Sequence, residues 1–257
     1  MSKTAVVISS CDKFRDAWSL FFYFFFKNWD CPYDIYLISN YGIYNDQRVR
    51  TLQVGNDKGW ASNMLFCLNQ IDAENIIYFQ EDYFINRSVD SLQVENCLDF
   101  FQANGADYLG LYPLPKPDYV NYNGQIRIGK LSSTARMRTS LQTAIWRKTS
   151  LSNLLIDGET GWDMEREGTN RSRNMLFLRF NEFENIPICY CFTGIIRGAW
   201  NPESLQMCIA NNLLLPLKRR SLAPEKKYLK KLRKTREAIE FLIQVIFKKQ
   251  FSVNPIK

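Results

Sequence analysis

The pattern of apolar residues predicts a chain in which short buried strands alternate with helices. A β-branched run from Thr4 to Ser10 predicts a first strand, and Asp12 is placed to cap a helix from Phe14 to Trp29. Other apolar runs, each bounded by turn residues, predict further elements of the same two kinds. Strands are predicted at residues 33–40, 49–54, 75–79, 108–112, 141–146 and 188–192, and helices at 61–71, 89–102 and 150–156.

This alternation favours an α/β fold with a Rossmann-like, mainly parallel central sheet covered by helices. Residues 113–129 begin with three prolines in five positions and predict an irregular loop over one sheet edge. Residues 157–165 predict a carboxylate-rich turn that enters a polar segment. We expect one catalytic domain over residues 1–217, with no earlier boundary, and a basic amphipathic helical tail over 218–257.

Charge is distributed unevenly over the 257 residues. The net charge is +7, yet residues 218–257 hold thirteen Lys and Arg against three Glu, so the rest of the chain carries −3. A nucleic-acid partner is therefore not expected. The basic and apolar residues of 218–250 predict contact with an anionic membrane surface; packing on the body or on a second copy is the alternative.

The absence of His excludes His-based triads, imidazole general bases and His-ligated metals. Seven Cys without a Cys-x-x-Cys pair predict reduced, mostly buried thiols. No signal peptide is apparent, and the longest apolar run, Ala17–Phe26, is about half a bilayer span. We expect a cytoplasmic protein without a transmembrane helix. Missing Gly-rich phosphate loops and Gly-x-Ser-x-Gly elbows argue against dinucleotide, P-loop and hydrolase functions.

Two carboxylate clusters are candidates for chemistry. Glu81 and Asp82 follow the strand at 75–79, and the carboxyl ends of such strands border the ligand crevice of an open α/β sheet. Their oxygens suit Mg²⁺ or Mn²⁺, which would neutralise a diphosphate, although an acidic pair also ends strands with no further role.

The second cluster is Glu159, Asp163 and Glu165, beside Trp162. In a chain without His, a carboxylate is the natural base for an acceptor hydroxyl, and Trp162 offers a flat apolar face to a sugar ring. A solvated acidic turn at a helix start is the alternative. Ser9, Ser10, Cys11 and Asp12 either bind a nucleotide or cap a helix, and Arg136, Arg138, Arg171, Arg173 and Arg197 are candidates to pair with phosphates or an acidic acceptor.

In their order along residues 4–200, these motifs resemble the nucleotide-sugar glycosyltransferases of the GT-A fold, especially the small bacterial enzymes of capsule and lipopolysaccharide assembly. The matching segments are Val6–Asp12, the Asp57–Trp60 turn with Asn63, Tyr78–Tyr83, Gln142–Trp146 and Gly161–Glu165.

The resemblance implies transfer of a sugar from a nucleotide-sugar donor to a saccharide or lipid-linked saccharide acceptor, in surface polysaccharide synthesis near the inner membrane face. It places Asp82 at the metal and diphosphate, and Asp163, or failing that Glu165, as the base of an inverting displacement, with retention as the alternative. The implied donor-binding residues are Ser9, Ser10, Cys11, Asp12, Asp57, Trp60, Asn63, Glu81, Asp82 and Arg197, and the acceptor-binding residues are Gln142 and Trp162.

Two departures from the family pattern bear on the metal. The Asp-x-Asp motif is reduced to Glu81-Asp82-Tyr83, and no His completes a metal shell. Without Mg²⁺ or Mn²⁺, Arg197 or another cation would take the charge of the leaving diphosphate. Two other functions stay open: a nucleotidyltransferase, although Cys11-Asp12-Lys13 lacks the glycines of its phosphate loop, and a non-catalytic saccharide-binding protein.

Overall fold

The computed structural model describes residues 3–184 and 186–224. The chain divides into two compact units, Met1–Phe192 and Thr193–Lys257, and each is described by itself. The predicted division at residue 217 stays a prediction, and residues 225–257 of the predicted helical tail lie outside the described residues.

The first unit is built on an eight-stranded sheet over its described residues. Its strands are short, and the apolar runs that predicted several of them are buried on both faces, as expected for a sheet covered by helices. The strands are β1 (Thr4–Ser9), β2 (Asp34–Ser39), β3 (Val49–Gln53), β4 (Asn75–Gln80), β5 (Tyr108–Gly110), β6 (Ile128–Lys130), β7 (Ala144–Arg147) and β8 (Phe177–Phe180).

The sheet order is β3-β2-β1-β4-β7-β5-β8-β6. Strands β1, β2, β3 and β4 are parallel, and β5 is parallel to β8. Strand β7 runs antiparallel between β4 and β5, and β6 is antiparallel to β8 at the margin. The predicted fold class, an α/β protein with a mainly parallel sheet, is confirmed.

Helices cover both faces of this sheet. A 3₁₀ turn at Asp12–Phe14 leads into the first helix, whose Phe21 and Phe25 rings lie 6.0 and 5.8 Å from the ring of Phe79 in β4. Apolar residues of the second and fourth helices pack in a separate cluster with the alternate residues of β1 and β4. The helices are α1 (Arg15–Asn28), α2 (Trp60–Leu68), α3 (Ser91–Ala103), α4 (Lys148–Leu154) and α5 (Gly161–Arg171).

Three predictions about elements are wrong. Asp12 does not cap α1, which begins after Phe14 without a side-chain cap. Residues 188–192 form no strand: only Tyr190 makes an isolated bridge, to Ile85, and the run is apolar because it is buried. The carboxylate-rich turn ends at Thr160, where α5 begins, and β6 and β8 were not predicted.

The second unit contains a two-stranded hairpin, β9 (Ile195–Ile196) with β10 (Ala199–Trp200), and helix α6 (Pro202–Ala210). The Trp200 amide donates to the Ser221 carbonyl over 2.9 Å, so residues up to 223 belong to its backbone pairing. All seven Cys, which lie within the described residues, are thiols outside any disulfide, and four of them are buried. Within residues 3–184 and 186–224, no helix has the length and apolar character needed to cross a bilayer.

Candidate functional site

The carboxyl ends of β1, β2 and β4 meet the amino end of β7 at one margin of the sheet, which we call the carboxyl edge. The register pairs Ser9 with Gln80, and Tyr78 with Ala144. Residues that follow β1 and β4, or precede β7, are therefore neighbours. Ligand sites of open α/β sheets lie at this position. Among the predicted site residues, this edge holds Ser9, Ser10, Cys11, Asp12, Glu81, Asp82 and Gln142.

Two tryptophans fix Ser9, the last residue of β1, and Ser10, which follows it. The Trp60 Nε1 donates to Ser9 Oγ over 2.9 Å, and the Trp18 Nε1 donates to Ser10 Oγ over 2.8 Å. Trp60 opens α2 and Trp18 lies in α1. The serine hydroxyls thus join two helices to the carboxyl edge, and Trp60, predicted at the donor site, is placed beside Ser9.

Asp12 joins the loops that follow β1 and β2. Its carboxylate accepts hydrogen bonds from the backbone amides of Asn40, Tyr41 and Gly42, at 3.0–3.1 Å. Its own amide donates to Asn40 Oδ1 over 3.0 Å. Since backbone donors already surround the carboxylate, Asp12 supports the shape of the edge, and its predicted contact with a nucleotide stays a prediction.

The turn before α2 is stabilised by Asp57. Its Oδ1 accepts from Gly59 N at 2.9 Å and from Asn63 Nδ2 at 2.8 Å, while Lys58 N donates to Asn63 Oδ1 over 3.3 Å. Gly59 has φ of 95°, and a Cβ there would lie 3.2 Å from the Gly158 carbonyl oxygen. The position therefore requires glycine, and the turn lies against the loop that precedes α5.

The end of β1, the end of β4 and the turn before α2 share one partly buried, acidic environment. Glu81 and Asp82 are buried, with exposed fractions of 8% and 6%. Burial raises the pKa of the Cys11 thiol, and the negative charges of Glu81 and Asp57 raise it further. The ends of β1 and β4 and the turn before α2 therefore form one acidic neighbourhood.

The carboxylates of this neighbourhood fit a divalent cation together with a diphosphate. Among the described residues, no group of three Cys, Asp or Glu side chains is arranged to hold a metal. Mg²⁺ is characteristically held by one or two carboxylates plus substrate phosphates. Asp82, with Glu81 beside it, offers a donor set of that kind. The expected Mg²⁺ or Mn²⁺ stays a prediction.

A chain of hydrogen bonds connects the end of β4 with α5. Tyr83 Oη donates to the Leu141 carbonyl over 3.2 Å and accepts from Gln142 Nε2 over 3.1 Å. Tyr190 Oη donates to Gln142 Oε1 over 2.9 Å, and its ring stacks on that of Tyr83 at 4.9 Å. The Leu141 amide donates to Glu165 Oε1 over 2.7 Å. Gln142, predicted to bind the acceptor, is thus held between two tyrosines.

Tyr83 is also an electrostatic link between the two carboxylate clusters. Burial raises its pKa well above the ordinary value, and the charges of Tyr190, Asp82 and Glu165 contribute in the same direction. Asp82 and Glu165 therefore both lie within electrostatic range of one phenol. The two clusters are about eighty positions apart in sequence, and the structure brings one member of each to this residue.

The Asp163 carboxylate caps the first turn of α5. It forms a capping box with Thr160, whose amide donates to Asp163 Oδ2 over 3.0 Å, and it pairs with Arg166 at 2.8 Å. Hydrogen bonds from Thr160 lower its pKa, and the charge of Arg166 adds to this effect. A carboxylate stabilised in its ionised form is a weak base.

Glu165 has the opposite environment. Burial raises its pKa, an effect that the Leu141 amide and the Arg179 charge partly offset. Its side chain remains partly accessible. Of the two predicted bases, Glu165 is therefore the more basic and the better placed toward the carboxyl edge.

The other residues of this cluster lie elsewhere on α5 or beside it. Trp162 is 76% exposed. Glu159 forms a two-point ion pair with Arg171, at 2.9 and 2.7 Å. The Trp162 side chain is thus open to solvent, and Glu159 has a structural partner.

The five predicted arginines have different environments. Arg138 is buried and donates to the carbonyls of Ser172 and Met175. Arg173 donates to Asn170 Oδ1. Arg197 lies in the turn between β9 and β10, in the second unit, with φ of 51°. The role predicted for Arg197 at the diphosphate stays a prediction.

Tyr190 and Arg179 were not singled out from the sequence, and Tyr83 was named there only as the last residue of the Glu81-Asp82-Tyr83 motif. Arg179, in β8, is fully buried and donates to Tyr108 Oη and to the Tyr112 and Leu114 carbonyls. The positions of these three side chains depend on contacts between residues far apart in sequence, which a local motif does not encode.

No protein-family model matches the sequence, and no curated protein matches it. Solved structures do show similarity. TarS residues 1–349 from S. aureus, in complex with UDP, has 14% identity and a TM-score of 0.49 over 72% of this chain, which spans 59% of that chain. A cytidylyltransferase from Leptospira borgpetersenii has 13% identity and a TM-score of 0.47, with full coverage of both chains.

A CMP:2-keto-3-deoxy-manno-octonic acid synthetase in complex with CTP has 11% identity and a TM-score of 0.41, covering 82% of this chain and all of that chain. Identities this low do not define an activity. The strand order and the carboxyl edge define the class: an α/β protein with a mainly parallel sheet and an acidic carboxyl edge.

Proposed function

We propose that the chain is a glycosyltransferase that moves a sugar from a nucleotide-sugar donor to a saccharide or lipid-linked saccharide acceptor. The observation that carries the proposal is the chain of hydrogen bonds that runs from Tyr83, the residue after Asp82, through Leu141 to Glu165. Sugar transfer needs one group at the departing diphosphate and another at the attacking hydroxyl, and these two carboxylates suit those positions. The motif resemblance to GT-A enzymes supports the same activity.

In this mechanism, Glu165 accepts the proton of the acceptor hydroxyl. The acceptor oxygen forms a bond to the anomeric carbon, and the bond from that carbon to the diphosphate oxygen breaks, with its electron pair leaving on the diphosphate. A single displacement of this kind inverts the anomeric configuration. Asp82, with Glu81 beside it, would hold a divalent cation, which supplies charge stabilisation to the leaving diphosphate.

Leu141 and Gln142 position the two ends of this reaction. The Leu141 amide fixes one oxygen of Glu165, while its carbonyl is fixed by Tyr83. Gln142 is held by Tyr83 and Tyr190. Because these contacts are made within the protein, the base is oriented before substrate arrives, which is how positioned groups accelerate reactions.

A thermal-shift screen of nucleoside diphosphates and nucleotide sugars, with and without Mn²⁺, tests donor binding. We expect Asp82→Asn to lose the Mn²⁺-dependent part of the shift, because the carboxylate charge is removed while side-chain size is kept. Asp99→Asn, on α3, is the matched control and should keep the shift. Unchanged Mn²⁺ dependence in Asp82→Asn would remove Asp82 from the donor site.

Turnover of the stabilising nucleotide sugar, with water and simple disaccharides as acceptors, separates the three functions. Sugar release or transfer, reduced by about 10²–10⁴-fold in Glu165→Gln with donor binding retained, supports the proposal. Release of pyrophosphate from a nucleoside triphosphate and a sugar would indicate a nucleotidyltransferase instead. Binding of nucleotide sugar by the unmodified chain without any turnover would indicate a saccharide-binding protein.

A further inference from the structure

A small cavity lies on the exposed face of α5, and Glu165 is not among the residues that line it. Its volume is about 220 Å³, and it is lined by Arg136, Met137, Trp162, Arg166 and Thr169. Drug-sized ligand pockets have volumes of roughly 300 Å³ or more. This cavity is therefore of a size for one ring of a larger ligand, with the rest of the ligand outside it.

The exposed indole of Trp162 is unusual in this chain. The other five tryptophans are buried or partly buried, whereas Trp162 is 76% exposed. Trp162, Arg166 and Thr169 follow at helical spacings of four and three, on the face of α5 opposite the buried Met164 and Gly168. Trp162 is thus not used in the core and presents an apolar ring face to the cavity.

One of the two arginines at the cavity has no ionic partner among the described residues. Arg166 pairs with Asp163 and Glu167, whereas Arg136 has no ion pair or side-chain hydrogen bond within the described part of the chain. None of the lining residues is acidic. A guanidinium without a carboxylate partner, beside an aromatic face, suits a ring that carries a carboxylate or a phosphate.

The backbone that presents these side chains is strained in a defined way. Met137 has φ of 56°, a left-handed conformation that non-glycine residues rarely adopt. The adjacent Arg138 is buried and donates to the Ser172 carbonyl over 2.7 Å and to the Met175 carbonyl over 3.1 Å. These contacts hold the turn in place, and strained residues held in this way are characteristic of ligand sites.

We propose that this cavity binds an acidic sugar residue of the acceptor, with its ring on Trp162 and Met137 and its negative group on Arg136. That the bound sugar belongs to the acceptor rests on the proposed function, whereas binding of an acidic sugar in this cavity does not depend on it. The site makes the acceptor an anionic saccharide, and its negative group is a carboxylate or a phosphate.

Binding to the full-length protein, without donor, tests this site. The quenching of tryptophan fluorescence reports on Trp162 because it is the one exposed tryptophan. The probes are cellobiouronic acid, neutral cellobiose, glucose 6-phosphate and inorganic phosphate. We expect at least one of the two anionic sugars to bind at least tenfold more tightly than cellobiose, and the stronger one identifies the negative group.

Variants assign the two contacts. Arg136→Gln should reduce the preference for the anionic sugar over cellobiose to less than threefold, and Trp162→Ala should abolish the fluorescence change and weaken binding of both sugars in calorimetry. Arg87→Gln, an equal change of charge at an exposed position outside the cavity, should leave both the preference and the fluorescence change unaltered. Equal binding of cellobiose and both anionic sugars, an unchanged preference in Arg136→Gln, or equally tight binding of inorganic phosphate would overturn the proposal.

Failure of the acidic-sugar site and failure of the glycosyltransferase proposal give different results. If nucleotide sugars bind and turn over but acidic sugars show no preference, only the acidic-sugar site is wrong. If acidic sugars bind through Arg136 and Trp162 but no nucleotide stabilises the chain, the site stands and the glycosyltransferase proposal fails.

Discussion

Asp163 and Glu165 are two positions apart on one helix, yet their environments shift their pKa values in opposite directions. Asp163 is stabilised as an anion by Thr160 and Arg166, and Glu165 is destabilised as an anion by burial. The sequence predicts a carboxylate base in this segment, but it cannot rank the two. The ranking depends on Leu141, which approaches α5 only in the folded chain.

The pH dependence of transfer follows from the raised pKa of Glu165. A base acts in its ionised form, so kcat/KM should rise with pH through a midpoint above the ordinary range of a glutamate. Measured profiles should lose this acid limb in Glu165→Gln, together with about 10²–10⁴-fold of the rate. Asp163→Asn should keep it. An unchanged limb in Glu165→Gln would show that another group is the base.

The same group gives a stability readout with a defined sign. Because the folded chain favours protonated Glu165, its contribution to stability is present at pH values below its unfolded pKa and is lost as the pH rises through the raised folded pKa. Urea unfolding of Glu165→Gln should show a smaller loss of stability across this window than the unmodified chain. An identical pH dependence would contradict the burial of the carboxylate.

Among the elements, α5 depends most on its first turn. Its sequence is polar, and the capping box of Thr160 and Asp163 supplies hydrogen bonds where backbone amides lack helical partners. Thr160→Ala should lower the free energy of unfolding by about 0.5–2 kcal/mol. Thr134→Ala, at an exposed turn, is the matched control and should change it by less than about 0.5 kcal/mol. Equal effects in urea unfolding would contradict the cap.

Strand β8 depends on its buried arginine. Arg179 serves three acceptors: Tyr108 Oη and the Tyr112 and Leu114 carbonyls. Arg179→Met should cost about 3 kcal/mol or more, because each of three buried acceptors left without a donor costs about 1–3 kcal/mol. Arg173→Met, at an exposed position, should be close to neutral. A midpoint in urea unchanged by Arg179→Met would show that these acceptors find other donors.

The central strands were predicted correctly because their residues are both buried and paired within the sheet. Strands β1 and β4 are continuous apolar runs because both faces are covered. Strand β8 was missed because Arg179 interrupts its apolar pattern, and α5 because its residues are mainly polar. Residues 188–192 were predicted as a strand because a mostly buried segment gives the same apolar signal as a strand, although its pairing is limited to one bridge, between Tyr190 and Ile85.

The positive charge of the whole chain is concentrated near its C-terminal end, mostly in residues outside the described part of the structure. Residues 225–257 hold ten Lys and Arg against three Glu. We propose that this segment binds anionic membrane surfaces, since each basic residue near such a surface contributes about 1 kcal/mol. The full chain should sediment with vesicles that contain phosphatidylglycerol, and pure phosphatidylcholine should not bind it.

A chain that ends at Pro224 is the appropriate truncation for this test. The Ala223 amide donates to the Trp200 carbonyl over 2.8 Å, so a cut at Pro216 would disturb the second unit as well. The truncated chain, and a full chain with Lys226, Lys227, Lys230 and Lys231 changed to Gln, should lose most of the sedimentation. Equal sedimentation of the full and truncated chains would refute the role of residues 225–257.

The direction of β7 was beyond the reach of the apolar pattern, since parallel and antiparallel strands give similar runs. Its direction follows from the path of the chain between β5 and β7. Residues 111–143 leave β5, reach the sheet margin at β6 and return to the centre of the sheet, carrying Arg136, Met137 and Gln142. Under the proposed function, these three acceptor-side residues therefore lie on one continuous segment between two neighbouring strands, whereas the donor-side residues are divided between the ends of β1 and β4.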